Sequence, residues 1–195
     1  MGTLSSWHIH IIDFCYSIIL SEFSRQQYLD IIASDEKLKA KALGFNDLSL
    51  DERAEFAQDL VKEFDARIGI GTEYGSVPTS KIEHGPKSSF KYDFAAETDN
   101  GIITFRDDYL ESYSLDEFMN TLSHEHMHDI DTKLPGYGSA TRQNAEFGAA
   151  TSLTEQYKDL YKKNVLEAGG YGVGDHVGEN FLRDLNTLIN SRPKK

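Results

Sequence analysis

Residues 114–131 read SLDEFMNTLSHEHMHDID. Ser114, followed three positions later by Glu117, makes a capping box, so the stretch is expected to open as a helix running from Leu115 to about Ile130. Leu115, Phe118, Met119, Leu122, Met127 and Ile130 recur at helical spacing and supply the apolar side that anchors such a helix in a core. His124, Glu125 and His128 form the pattern H-E-x-x-H. Residues four apart share a helix face, so the two imidazoles can present their nitrogens to one point, while Glu125, about 100° round, reaches a water held there. That is half of a zinc site, because a catalytic zinc takes three protein ligands and leaves the fourth position for water.

Upstream of this helix the hydrophobic period changes twice. Residues 1–68 read as helices: Trp7 to Phe23 is mostly apolar, Ser24 to Leu43 carries Tyr28, Ile31, Ile32 and Leu38, and Ser49 with Glu52 forms a second capping box ahead of Leu50, Ala54, Ala57, Leu60, Val61, Phe64 and Ile68. Residues 69–80 are rich in glycine, without the lysine and spacing of a phosphate loop, and read as a surface connection. Phe90, Tyr92 and Phe94 then alternate with polar residues, Asp99-Asn100-Gly101 has left-handed turn chemistry, and Ile102 to Phe105 returns, which together predict a β-hairpin leading to the motif.

Downstream, a connection containing Pro135 and Gly136 precedes a helix expected from about Gln143 to Leu166. The glycine-rich residues 169–179 read as a loop, and Asn180 to Ser191 as a closing amphipathic helix. The fold class is α+β, helix-rich with a small, mainly antiparallel sheet before the motif helix.

A third metal ligand has several candidates. The extended form H-E-x-x-H-x-x-G-x-x-H is excluded, because Asp131 stands where its glycine belongs and Leu134 where its last histidine belongs. Glu146, eighteen positions after His128 at the start of the next helix, comes first. Glu155, deeper in that helix, comes second, and Asp175 and His176 third. A helix end enriched in histidine because cations favour it accounts for the three histidines and leaves Glu125 and Glu146 unexplained. His126 points off the face of His124 and His128 and reads as a packed or supporting residue; Asp129 reads as solvated, and His84, beside Gly85 and Pro86, as a loop residue.

His124, Glu125, His128 and a downstream Glu146 resemble the zincin metallopeptidases of the gluzincin type. Tyr137-Gly138 through Asn144-Ala145-Glu146-Phe147 is similar to the stretch around the glutamate ligand in bacterial toxin zincins of the anthrax lethal factor type. The resemblance covers about residues 101–167 and implies a zincin-like fold over residues 89–195. It implies Zn2+ held by His124, His128 and Glu146, Glu125 as general base, and Tyr137 as proton donor or oxyanion partner, with Asp131 supporting a ligand imidazole. It also implies a protein or peptide substrate paired against the strand Ile102 to Phe105. The sequence departs from that pattern at Tyr137, nine residues before Glu146, and at Ala150, where many gluzincins carry an acid. A bacterial effector or toxin, with a cognate inhibitor or immunity protein as partner, is the role implied. A zinc amidase acting on peptidoglycan peptides uses the same water activation, and a metal-containing binding module without catalysis is the third reading.

Composition bounds these readings. Twenty Lys plus Arg against 32 Asp plus Glu leave a net charge of -12, which argues against nucleic-acid phosphates and anionic membranes as partners. At 195 residues the chain is expected to form one domain, and Cys15, the sole cysteine, excludes an internal disulfide or a thiolate cluster. No run approaches the roughly 18 apolar residues of a membrane span. The N-terminus lacks the basic segment of a signal peptide, so export by a signal-peptide-independent route, or otherwise a cytoplasmic location, is expected.

Overall fold

The computed structural model describes residues 22–70, 78–133 and 173–192, with the side chains of all of these but 131 and 132. In chain order they form helices α1 (22–34), α2 (Glu36–Leu43) and α3 (Leu50–Arg67), strands β1 (Lys81–Gly85), β2 (Ala96–Asp99) and β3 (Ile102–Arg106), and helices α4 (Asp107–Ser112), α5 (Leu115–Lys133), α6 (173–178) and α7 (Phe181–Ser191). The architecture is α+β, helix-rich with a small mixed sheet. The helices expected at Trp7 to Phe23 and Gln143 to Leu166 fall wholly or mainly outside the described residues.

Helix starts follow local chemistry. Both capping boxes form: the Ser49 N–H donates to Glu52 Oε2 at 2.9 Å and the Ser114 N–H to Glu117 Oε2 at 2.8 Å. The single helix expected over Ser24 to Leu43 is divided at Asp35, whose side chain accepts from the N–H groups of Lys37 (2.8 Å) and Leu38 (3.0 Å) and so starts α2.

The sheet differs from expectation in three respects. Its order is β1-β3-β2, with β1 parallel and β2 antiparallel to β3, so it is mixed and β3 lies in its centre. The strand expected to pair with a substrate is thus bonded on both sides and is no edge. The hairpin turn is where Asn100 and Gly101 place it, with φ of 50° and 82°, as a primed turn requires. Its first strand, however, is Ala96–Asp99, while residues 91–93 form bends. β1 carries His84, the residue expected in a loop.

Register gives the sheet two faces. Ile82, Ile103 and Thr98 form one row and His84, Phe105 and Ala96 the next, on the side packed by α3 and α5; Lys81, Ile102, Asp99, Glu83, Thr104 and Glu97 alternate with them on the other. Phe118 of α5 sits in an aromatic cluster with Phe45 (4.7 Å between ring centroids), Phe105 (5.7 Å) and Phe56 (5.8 Å), all buried.

The segment expected as a loop around Val173 is helical, for a tertiary reason. A Cβ at Gly174 would lie 2.8 Å from Asn120 O, and one at Gly178 would lie 2.7 Å from Asn120 Cβ and Asp116 O, so two bare glycines let α6 lie directly on α5. Arg25 of α1 fastens this end, donating to the carbonyls of His176, Val177 (3.0 Å) and Glu179 (2.8 Å) and to Asp184 (2.5 Å). Among the described residues no helix is long and apolar enough to cross a membrane.

Candidate metal centre

Helix α5 carries the motif through the interior. An apolar side and a separate histidine face are expected from its spacing; in the structure every residue from Leu122 to Met127 is buried, because α3, the sheet and α6 close on several of its sides. The polar side chains inside this helix therefore have defined partners.

His124 and His128 converge as their spacing requires. Their Nε2 atoms are 3.0 Å apart with the rings nearly perpendicular, at 83°. The carboxylate of Glu125 lies beside His124, its Oε1 3.8 Å from His124 Nε2. The other oxygen, Oε2, accepts from the Thr98 hydroxyl at 2.7 Å. Burial pushes the Glu97 carboxyl up, and the charges of Glu125 and Asp99 push it further.

The pair fits a small divalent cation by its chemistry. With both Nε2 atoms deprotonated the pair would offer two lone pairs to one point, and two nitrogen ligands of a tetrahedral zinc stand about 3.3 Å apart, given Zn–N distances of about 2.0–2.1 Å. Among the described residues no group of three His, Cys, Asp or Glu side chains forms a metal cluster. Tyr137, Glu146 and Glu155 lie outside the described residues, and so does the side chain of Asp131.

Comparison with family models, curated proteins and solved structures finds no match.

Asp175 and His176, third in order as ligands, are both engaged nearby: Asp175 accepts from Asn120 Nδ2 at 3.0 Å, and His176 Nε2 lies 2.7 Å from Glu22. Asn120 is one turn before His124, so Asp175 ties α6 to the helix just ahead of the centre.

His126 is packed, as expected. It is 1% exposed, with Nδ1 2.7 Å from the Tyr28 hydroxyl and Nε2 2.9 Å from Asp65 Oδ1. Burial, with the charge of Asp65 adding, pushes the Tyr28 phenol well above its ordinary range, so it stays protonated. The Asp65 carboxylate accepts from the Nε2–H.

Asp129 corrects the sequence reading. It is fully buried rather than solvated: its Oδ2 accepts from the Ser80 hydroxyl and lies 2.5 Å from Lys133 Nζ. Ser80 joins the two anchors, since its N–H also donates to Asp65 Oδ2 at 3.2 Å. Thr98, Asp65, Tyr28 and Ser80 all act on the motif helix, and nothing local marks any of them in the sequence. Only the alternation of β2, once its true start at Ala96 is known, would have turned Thr98 toward α5.

Proposed function

We propose that the protein is a zinc-dependent metallopeptidase of zincin-like type. The observation that carries this reading is the convergence of His124 and His128, Nε2 to Nε2 at 3.0 Å, with the Glu125 carboxylate beside them. His124 and His128 would hold the metal, and the resemblance adds Glu146 as third ligand and Tyr137 as the group facing the developing oxyanion. A zinc ion bound there supplies Lewis acidity, lowering the pKa of a water to about 7. Glu125 takes the proton of the attacking water on Oε1 and delivers it to the leaving amine.

The substrate strand is assigned to β2 in place of β3. Arg106 N–H donates to Ala95 O at 3.0 Å, so in the alternating antiparallel pattern Glu97 and Asp99 turn their main-chain groups toward β3 while Ala96 and Thr98 turn theirs away. An extended peptide adding there would run beside Glu125. The effector or toxin role and the cognate inhibitor rest on the family resemblance.

Cleavage of a degenerate peptide library by wild type and by Glu125→Gln tests the reaction. Cleavage by wild type that is lost in Glu125→Gln supports it, and cleavage undiminished in Glu125→Gln contradicts it.

A further inference from the structure

We propose that Thr98 is the positioning residue of Glu125, fixing which carboxylate oxygen serves as base and which peptide bond is brought to it. The inference rests on the metallopeptidase reading and deepens it. Thr98 lies in β2 on the side of the sheet packed by α5, and its hydroxyl stands 2.7 Å from Glu125 Oε2 and 3.0 Å from the Glu125 carbonyl. A hydroxyl has one proton. The carbonyl lies inside α5, where the helix supplies its own donor four residues on, and the carboxylate is the stronger acceptor, so the proton goes to Oε2.

A glutamate on a helix has three rotatable side-chain bonds, and a carboxylate held at neither oxygen would sample several orientations. Tying Oε2 to Thr98 leaves Oε1 as the oxygen on the His124 side, 3.8 Å from His124 Nε2. The same residue faces the substrate side with its backbone, since the N–H and C=O of Thr98 point away from β3. A peptide strand pairing at Thr98 is thus held by the residue whose side chain holds the base. The bond opposite Thr98 is the one presented to Oε1, and the register of cleavage is set by one residue rather than by two independent elements.

The test compares wild type, Thr98→Val, Thr98→Ser and Glu125→Gln as full-length proteins, measuring zinc content, thermal stability and steady-state cleavage of the best peptide from a degenerate library. Valine keeps the shape and removes the hydroxyl. Thr98→Val is expected to lower kcat by about 10- to 100-fold with KM within about twofold and zinc content unchanged, and Thr98→Ser to recover most of the loss. A second readout needs no turnover: in metal-free protein the Thr98 hydroxyl proton is expected to be slowed in exchange in wild type and to lose that protection in Glu125→Ala. Wild-type cleavage with an unaltered kcat in Thr98→Val overturns the inference alone. So does a zinc loss in Thr98→Val, which would mark a merely structural role. A zinc-loaded wild type that cleaves no peptide overturns the peptidase reading and the inference together.

Discussion

His126 Nε2 lies 2.9 Å from Asp65 Oδ1, and the two side chains, 1% and 0% exposed, join α5 to α3 inside the core. The middle histidine of the motif is thus the counterweight of the other two: it fixes the roll of α5 from the side opposite His124 and His128. Removing one partner leaves the other buried without it, which costs about 1–3 kcal/mol. Asp65→Ala is expected to lower unfolding stability by that amount in urea titrations. Replacing both with apolar residues, as in His126→Phe with Asp65→Leu, is expected to cost less than the sum of the single changes, and an additive result would show that the contact contributes nothing of its own.

A second anchor of α5 is apolar. Phe118 is fully buried among Phe45, Phe56 and Phe105. Phe118→Ala is expected to cost about 3–5 kcal/mol, since three rings must close over the lost volume. Denaturant midpoints measure it, and a cost below about 1 kcal/mol would contradict this packing.

The seam between α5 and α6 depends on the absence of side chains at two positions. Gly178→Ala forces a methyl to 2.7 Å from Asn120 Cβ and is expected to destabilise by about 1–3 kcal/mol. Gly44→Ala, where the nearest contact would be Ala40 O at 3.4 Å, is expected to cost less. Equal melting temperatures for Gly178→Ala and wild type would contradict the close approach.

His84 makes stability depend on pH. Asp107, 2.7 Å from Nδ1, holds the imidazole above its ordinary range, and Asp51, 3.0 Å from Nε2, adds to this against partial burial. A folded-state pKa above the unfolded value of about 6.5 means the contribution is complete below that value and is lost as pH rises through the folded pKa. Wild type is expected to melt about 2–4 °C above His84→Gln at about pH 5.5, with the gap narrowing by about pH 8.5. A gap that widens with pH would reverse the assignment.

Much of this was legible locally. Ser49 with Glu52 and Ser114 with Glu117 fixed the starts of α3 and α5, Asn100-Gly101 fixed the hairpin turn, and the apolar spacing after Asn180 marked α7. What escaped was decided by distant partners. Asp129 meets Ser80, 49 positions away, so its burial has no local sign, and the partners of His126, whose packing was expected, lie 98 and 61 positions away. β1, with Ile82 its one buried residue, is a strand because β3 lies beside it, and its arrival makes β3 central and leaves β2 as the strand beside Glu125. α6 is helical against its glycine content because those glycines fit Asn120.

The third ligand is open to a direct comparison. Zinc affinity is expected to fall far more in Glu146→Ala than in Glu155→Ala, measured by competition with a chromogenic chelator. The reverse order would move the assignment to Glu155.

Elemental analysis of the purified full-length protein, beside His124→Ala and His128→Ala, tests whether the two histidines hold a metal. About one zinc per chain in wild type, lost in both variants, is the predicted result. A wild type that takes up no zinc even when supplied with it, or variants that retain it, would contradict the metal centre and the peptidase built on it.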